Sequence, residues 1–298
     1  MNQRELSGLL LFKVVAEEGS FTRAARKLGR SQSGLSQAIN ALEQQLGMTL
    51  LARSTRSVRP TQAGLQLMET LAPALRQIDN RIAELKHSQG VLAGTLRLSV
   101  MEYPARTILV PALPEFQDAH PYLTIELEVS DRFVDIVADG FDAGIRLGSH
   151  LEQDMIAAPL GPDVTAVVVG SPAYFERHGV PGSLEELASH ACLNYRRASH
   201  GDIYNWQFNR DGRQVEIPVK GPLITNDRHV MMSAVQAGLG VAYLLRPYVE
   251  DEISRGQLKS CLDEFCPVWP GYRIYYPARN QKSKALSALI THLRSTGY

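Results

Sequence analysis

The sequence predicts an α/β protein with an all-α N-terminal module. Three observations carry that expectation. Apolar residues recur at helical spacing over the first ninety positions. From Thr95 onward, short β-forming runs alternate with helical stretches. Charge is unevenly shared: residues 1–60 hold nine Lys or Arg against four acids, while the whole 298-residue chain is neutral. One end is therefore basic and the remainder acidic, as expected where a single end meets phosphate.

The elements follow in order. Leu9, Phe12 and Ala16 fall on one helical face, and Gly19 ends that helix. Ser20 is a good N-cap for the next, in which Phe21, Ala24, Ala25 and Leu28 form one apolar stripe. After the turn Gly29-Arg30-Ser31, a third helix buries Leu35, Ile39, Leu42 and Leu46. Residues 48–60 are short and irregular, which suits a small hairpin. Thr61 caps a long helix to about Gln89, with Leu71, Leu75, Ile78, Ile82 and Leu85 spaced as a coiled-coil seam. Pro73 lies inside it and predicts a kink. Gly90 and Gly94 flank an expected hinge.

Beyond the hinge we expect strands at 96–100, 124–129, 143–146, 165–169, 215–219, 241–244 and 272–276. Helices are expected at 104–119, 134–139, 226–237 and 283–293, with others opened by Ser171-Pro172 and Ser183. This alternation predicts one or two mostly parallel sheets covered by helices.

Length and composition suit a soluble chain of two or three domains, with 44% hydrophobic and 21% charged residues. Three sparse cysteines, Cys192, Cys261 and Cys266, are no disulfide framework and fit a reducing cytoplasm. The apolar run Leu9–Phe12 is too short for a signal peptide or membrane span, so no membrane is expected. The eight histidines show no ligand spacing, and no nucleophile elbow, P-loop or complete dinucleotide fingerprint is present. Gly238-Leu239-Gly240 is half of such a fingerprint, with Tyr243 at the third glycine's place. We expect no enzyme, no metal and no cofactor.

The third helix carries the chemistry. Its inward stripe leaves Ser33, Ser36, Gln37 and Asn40 on the opposite face, at i, i+3, i+4 and i+7. Short donors and acceptors there reach base edges and phosphates in a major groove. Gln32 enters first, Arg30 and Ser31 precede it, and Arg53 and Arg56 sit in the hairpin. These nine residues are the candidate DNA contacts. The bland alternative is a polar bundle whose Ser and Gln are merely solvated.

Residues 3–64 resemble the N-terminal signature of LysR-type transcriptional regulators. The carrying stretches are Phe12–Ala25, Leu28, Ser31–Ile39, Leu42-Glu43, Leu46-Gly47, Arg53, Arg56 and Thr61–Gly64. Leu51 stands where that family usually has Phe, and Pro60 where Leu is common; neither is groove-facing. Later landmarks are Gly94–Leu98, Phe141–Gly148, Gly170–Tyr174 and Gln236–Ala242. The resemblance implies a winged helix-turn-helix over 1–60 and a linker and dimerisation helix over 61–90. It implies a periplasmic-binding-protein-like effector domain over 91–298. That domain has two α/β subdomains, about 91–162 with 268–298, and about 163–267. It implies double-stranded operator DNA, a small-molecule effector and further copies of the chain as partners, in dimers and dimers of dimers, and it admits RNA polymerase.

Ligands of open α/β sheets sit beyond the carboxyl ends of strands. Met101 and Glu102, Arg146 and Gly148, and Asn226 and Asp227 meet that rule and are the candidate effector contacts. Helix N-termini and a guanidinium favour a small anion. Structural readings stand beside this one: Arg146 pairing with Asp142 or Glu102, and Asp227 as an N-cap. The loop 195–206 is a further candidate wall, with Trp206 in the core. Two rival classes are a thiol redox switch at Cys261 and Cys266, and an architectural DNA protein, which would not need the α/β half.

Overall fold

The computed structural model describes residues 2–53, 58–86, 91–148, 155–199 and 201–298. Three helices open the chain: α1 (Gln3–Glu18), α2 (Phe21–Lys27) and α3 (Gln32–Leu46). They converge on Phe12, Val15, Leu35 and Ile39, all fully buried, each such side chain contributing about 2 kcal/mol. On α1 the buried stripe is Gly8, Leu11, Phe12 and Val15, while Leu9 and Ala16 are only half-buried at its margin. The hairpin is β1 (Leu51–Arg53) against β2 (Val58–Pro60), antiparallel. The Thr61 hydroxyl accepts from Gly64 N–H at 3.1 Å and so caps α4 (Gln62–Lys86), which runs through Pro73 as one helix. Ile78, Ile82 and Leu85 project from α4 into solvent.

The next strand is β3 (Ala93–Val100), followed by α5 (Glu102–Pro104), a π turn (Ala105–Leu109) and α6 (Val110–Ala119). Then come β4 (Tyr122–Val129), β5 (Ala143–Leu147) and β6 (Met155–Leu160). Residues 136–140 form a turn where a helix is expected over 134–139. Asp135 caps this turn, its carboxylate taking the N–H groups of both Val137 and Ala138 at 2.9 Å, and Gly140 at φ +71 ends it after one turn, too soon for a regular helix.

A second unit begins with β7 (Val164–Gly170) and α7 (Pro172–His178), then β8 (Cys192–Tyr195), β9 (Trp206–Arg210), β10 (Arg213–Ile217) and β11 (Ile224–Thr225). It continues with α8 (Arg228–Gln236), β12 (Val241–Leu245), α9 (Glu250–Ser254), β13 (Lys259–Cys261) and β14 (Val268–Trp269). The helix opened by Ser183 is a short 3-10 turn, Glu185–Ser189. The chain then returns as β15 (Tyr272–Pro277) and α10 (Lys284–Ser295).

Among the described residues two large sheets result, beside the β1-β2 hairpin and the separate antiparallel pair β9-β10. One has the order β4-β3-β5-β15-β6, the other β11-β8-β12-β7-β13 with β14 also on β7. Both are mixed: β3 is parallel to β4 and β5, but β15 returns antiparallel to β5 and β6. Likewise β8 is parallel to β11 and β12, whereas β12 and β13 run antiparallel to β7. The expected mostly parallel sheets are thus half right, because each crossing between the units adds a returning strand. Since β14 pairs with β7, the second crossing falls after Trp269. Among the described residues no helix is long and apolar enough to cross a membrane.

Candidate nucleic-acid interface and ligand cleft

The exposed face of α3 is organised by its neighbours. Ser31 caps the helix, accepting from Gly34 N–H at 3.2 Å, so its hydroxyl is committed to the fold. Gln32, Ser33, Gln37 and Asn40 are exposed and Ser36 is half-buried, and Arg30 is exposed just ahead of them. Thr22 of α2 donates to Gln32 Oε1 at 3.2 Å. Arg53 lies on β1 but turns onto α3. It donates to Ser36 Oγ at 3.0 Å and to Asn40 Oδ1 at 2.6 Å, pairs with Glu43 at 3.3 Å, and its guanidinium lies 4.8 Å from the Phe21 ring centre. Glu43 also accepts from Leu50 and Leu51 N–H at 2.7 and 2.9 Å, holding the start of the hairpin. Arg56 lies outside the described residues.

The second site lies between the two sheets. A cavity of about 280 Å³ is lined from the first by Met101, Asp131, Phe133, Arg146 and Leu147. The other wall holds Tyr195, Arg197, Ala198, Ser199, Tyr204, Arg228, Tyr243, Leu244, Leu245 and Trp269. Arg228 reaches across and pairs with Asp131, which also accepts from the Tyr195 hydroxyl at 3.2 Å. Phe133 N–H donates to Ser199 Oγ at 2.7 Å, again across the cleft. Next in sequence to the lining residue Met101, Glu102 meets His229 and Arg106, each at 3.3 Å.

Of the expected ligand contacts, Met101 and Arg146 line this cavity. Arg146 pairs with neither Asp142 nor Glu102. Its Nη1 donates to the carbonyls of Ser99 and Ile145, and its Nη2 to Ser99 Oγ and the Arg132 carbonyl, at 2.8–3.0 Å. Burial lowers its pKa, yet a guanidinium stays charged at any physiological pH. Asp142 instead accepts from Arg97 N–H at 2.8 Å. Glu102 and Gly148 do not line the cavity; each follows a lining residue, Met101 and Leu147, and Glu102 is taken up by His229 and Arg106. Asn226 and Asp227 are exposed and off the cavity. Asp227 caps α8, accepting from His229 and Val230 N–H at 2.8 and 3.0 Å.

Sequence reasoning missed Asp131, Phe133, Arg228, Tyr243 and Trp269. Arg228 had one visible signal, its place directly after the cap residue Asp227. The three thiols are buried, and burial pushes each up to about 12. That leaves almost no thiolate at neutral pH, unlike the exposed low-pKa cysteine of a redox sensor.

Comparison with known proteins decides the family. Residues 6–65 match the model of the bacterial regulatory helix-turn-helix protein, lysR family, and residues 89–297 match that of the LysR substrate binding domain. The chain belongs to the LysR family of transcriptional regulators. This LysR-type regulator is 41% identical to the HTH-type transcriptional regulator PgrR of Escherichia coli, over 100% of this chain and 99% of that one. It is 43% identical to a putative transcriptional regulator of Pseudomonas aeruginosa, over 99% and 97% of the two chains. Two solved structures share its fold. Full-length AphB of Vibrio cholerae superposes with a TM-score of 0.66 at 24% identity, over 97% of this chain and 98% of AphB. ArgP of Mycobacterium tuberculosis reaches 0.70 at 19% identity, over 97% and 95%. The regulator is thus a DNA-binding protein with a substrate-binding domain.

Proposed function

We propose that this regulator reads a specific operator with α3 and adjusts its grip when a small anion enters the cleft. The observation that carries the reading is the exposed row Gln32, Ser33, Gln37 and Asn40 beside Arg53. Such a row offers donors and acceptors at major-groove depth, while Arg30 and the hairpin supply charge for the backbone. Residues 1–60 act as the DNA module, 61–90 as the linker, and 91–298 as the sensor. Self-assembly uses α4, whose Ile78 and Leu85 are 54% and 71% exposed and follow the seam spacing. Dimers, and dimers of dimers, then present two modules to two half-sites, in the cytoplasm and within reach of RNA polymerase.

The segment 131–142 supports a coupling route. At one end Asp131 and Phe133 line the cleft. At the other, Gly140 adopts φ +71, and a side chain there would run into the Arg76 guanidinium of α4. Close by, Asn80 of α4 donates to the Thr95 carbonyl at 3.1 Å and accepts from Thr95 N–H at 3.0 Å. A shift of the cleft wall therefore presses on the linker helix.

Selection from randomised duplex DNA with the full-length protein tests the reading. We expect one enriched motif of two related half-sites. A pool that stays random after repeated rounds sinks it.

A further inference from the structure

Resting on the reading of the cleft as a sensor, the question is which group holds the ligand's charge. Arg146 is the residue the sequence suggests, but both its terminal nitrogens are committed to main-chain carbonyls and Ser99. Only its Nε is buried without a hydrogen-bond partner. It contributes a charge and little grip. Arg228 differs: its partner, Asp131, is a side chain 97 positions away on the opposite wall. Asp131 presents Oδ2 to both Arg228 and Tyr195, while its Oδ1 is buried with no hydrogen-bond partner. This is a one-oxygen contact, without the two parallel bonds that make guanidinium–carboxylate pairs strong.

The charges of the wall also fail to cancel. Arg197 is balanced by Asp202. Arg146 and Arg228 then face a single carboxylate, Asp131, among the described lining residues. One positive charge is in surplus in a place of reduced dielectric, where a single negative charge is most welcome. Five rings, Phe133, Tyr195, Tyr204, Tyr243 and Trp269, share the remaining surface with Met101, Leu147, Leu244 and Leu245. They suit a flat apolar body, and about 280 Å³ lies at the small end of ligand sites.

We infer that Arg228 grips the anionic group of a small planar monoanion, and that Asp131 is a built-in competitor for the same guanidinium. Capture of Arg228 by the ligand turns Asp131 out towards water. Its loop then moves, together with the segment that reaches α4.

Benzoate, benzyl alcohol and benzylamine serve as flat probes of charge −1, 0 and +1. Each is titrated into the full-length protein and followed by tryptophan fluorescence, Trp269 being in the cleft wall. Wild type, Asp131→Asn and Asp131→Asn/Arg228→Gln are compared, the double variant leaving no buried carboxylate unpaired. Removing the competitor should tighten benzoate by about tenfold, the equivalent of one partly buried charge contact. Adding Arg228→Gln should abolish that binding, and benzyl alcohol should not distinguish the three proteins. Asp131→Asn alone keeps the test decisive where the double variant fails to fold, because benzoate must tighten. Unchanged benzoate affinity, or a preference for benzyl alcohol or benzylamine, overturns the assignment of Arg228 and leaves the sensing cleft standing. No response to any probe in any variant overturns the sensing cleft as well.

Discussion

The two ends of this regulator use arginine in opposite ways. On the DNA module, Arg53 lies across the surface of α3, with its hydrogen-bond partners Ser36, Asn40 and Glu43 all within 17 positions of it. In the cleft, Arg146 is sunk into the wall, 6% exposed, and tied to residues as far as 47 positions away. The first arrangement leaves polar groups at the surface of α3, where the proposed reading sets them against base edges and phosphates. The second builds the wall itself, and our inference gives recognition to a neighbour, Arg228. An arginine in a pocket is therefore not automatically the ligand's arginine.

That contrast can be broken by mutation. Arg146→Ala should have the largest effect on stability. It takes the guanidinium donors from the carbonyl and hydroxyl of the fully buried Ser99, and buried groups left unpaired cost about 1–3 kcal/mol each. A loss of at least about 2 kcal/mol in urea denaturation is expected; a loss under about 1 kcal/mol would return Arg146 to the ligand. Ile78→Asp places a charge in the apolar seam of α4 and should convert dimer to monomer at micromolar concentration. An intact dimer by light scattering contradicts the seam. Gln37→Ala should leave folding stability unchanged and weaken specific DNA binding by about 1–3 kcal/mol. An equal fall for specific and random DNA would make Gln37 a phosphate contact only. Smallest of all is the response to peroxide. With the thiols pushed up to about 12, wild type and Cys266→Ser should migrate alike on non-reducing gels after treatment. A shift in wild type alone restores the thiol switch at Cys261 and Cys266.

The same contrast explains what was legible beforehand. The DNA module is built from local signals. The N-caps Ser20 and Thr61 and the C-cap Gly19 lie next to the helices they bound. Its stripe of Leu35, Ile39 and Leu42 states its own period. The effector half depends on contacts between distant segments. Strand β8 is four residues long with its first three buried, so it shows no alternation to read. Strand β9 did carry a signal: Trp206 and Phe208 are buried while Gln207 and Asn209 turn outward, before the Asp211-Gly212 turn. In the loop 195–206 the aromatic residues carry the signal: Tyr195 and Tyr204 line the cavity, and Trp206 is core at 1% exposure. Asp131 and Arg228 look ordinary in sequence, and their meaning appears only when the two sheets face each other.

The central claim is that the cleft speaks to the DNA through the segment 131–142 and α4. The most direct test is a nuclease footprint of wild type and Asp131→Asn on the selected operator. The account predicts the same half-site contacts in both, with a different protected length, because the loop that Asp131 anchors no longer bears on α4 in the same way. Identical protection at every concentration would contradict it.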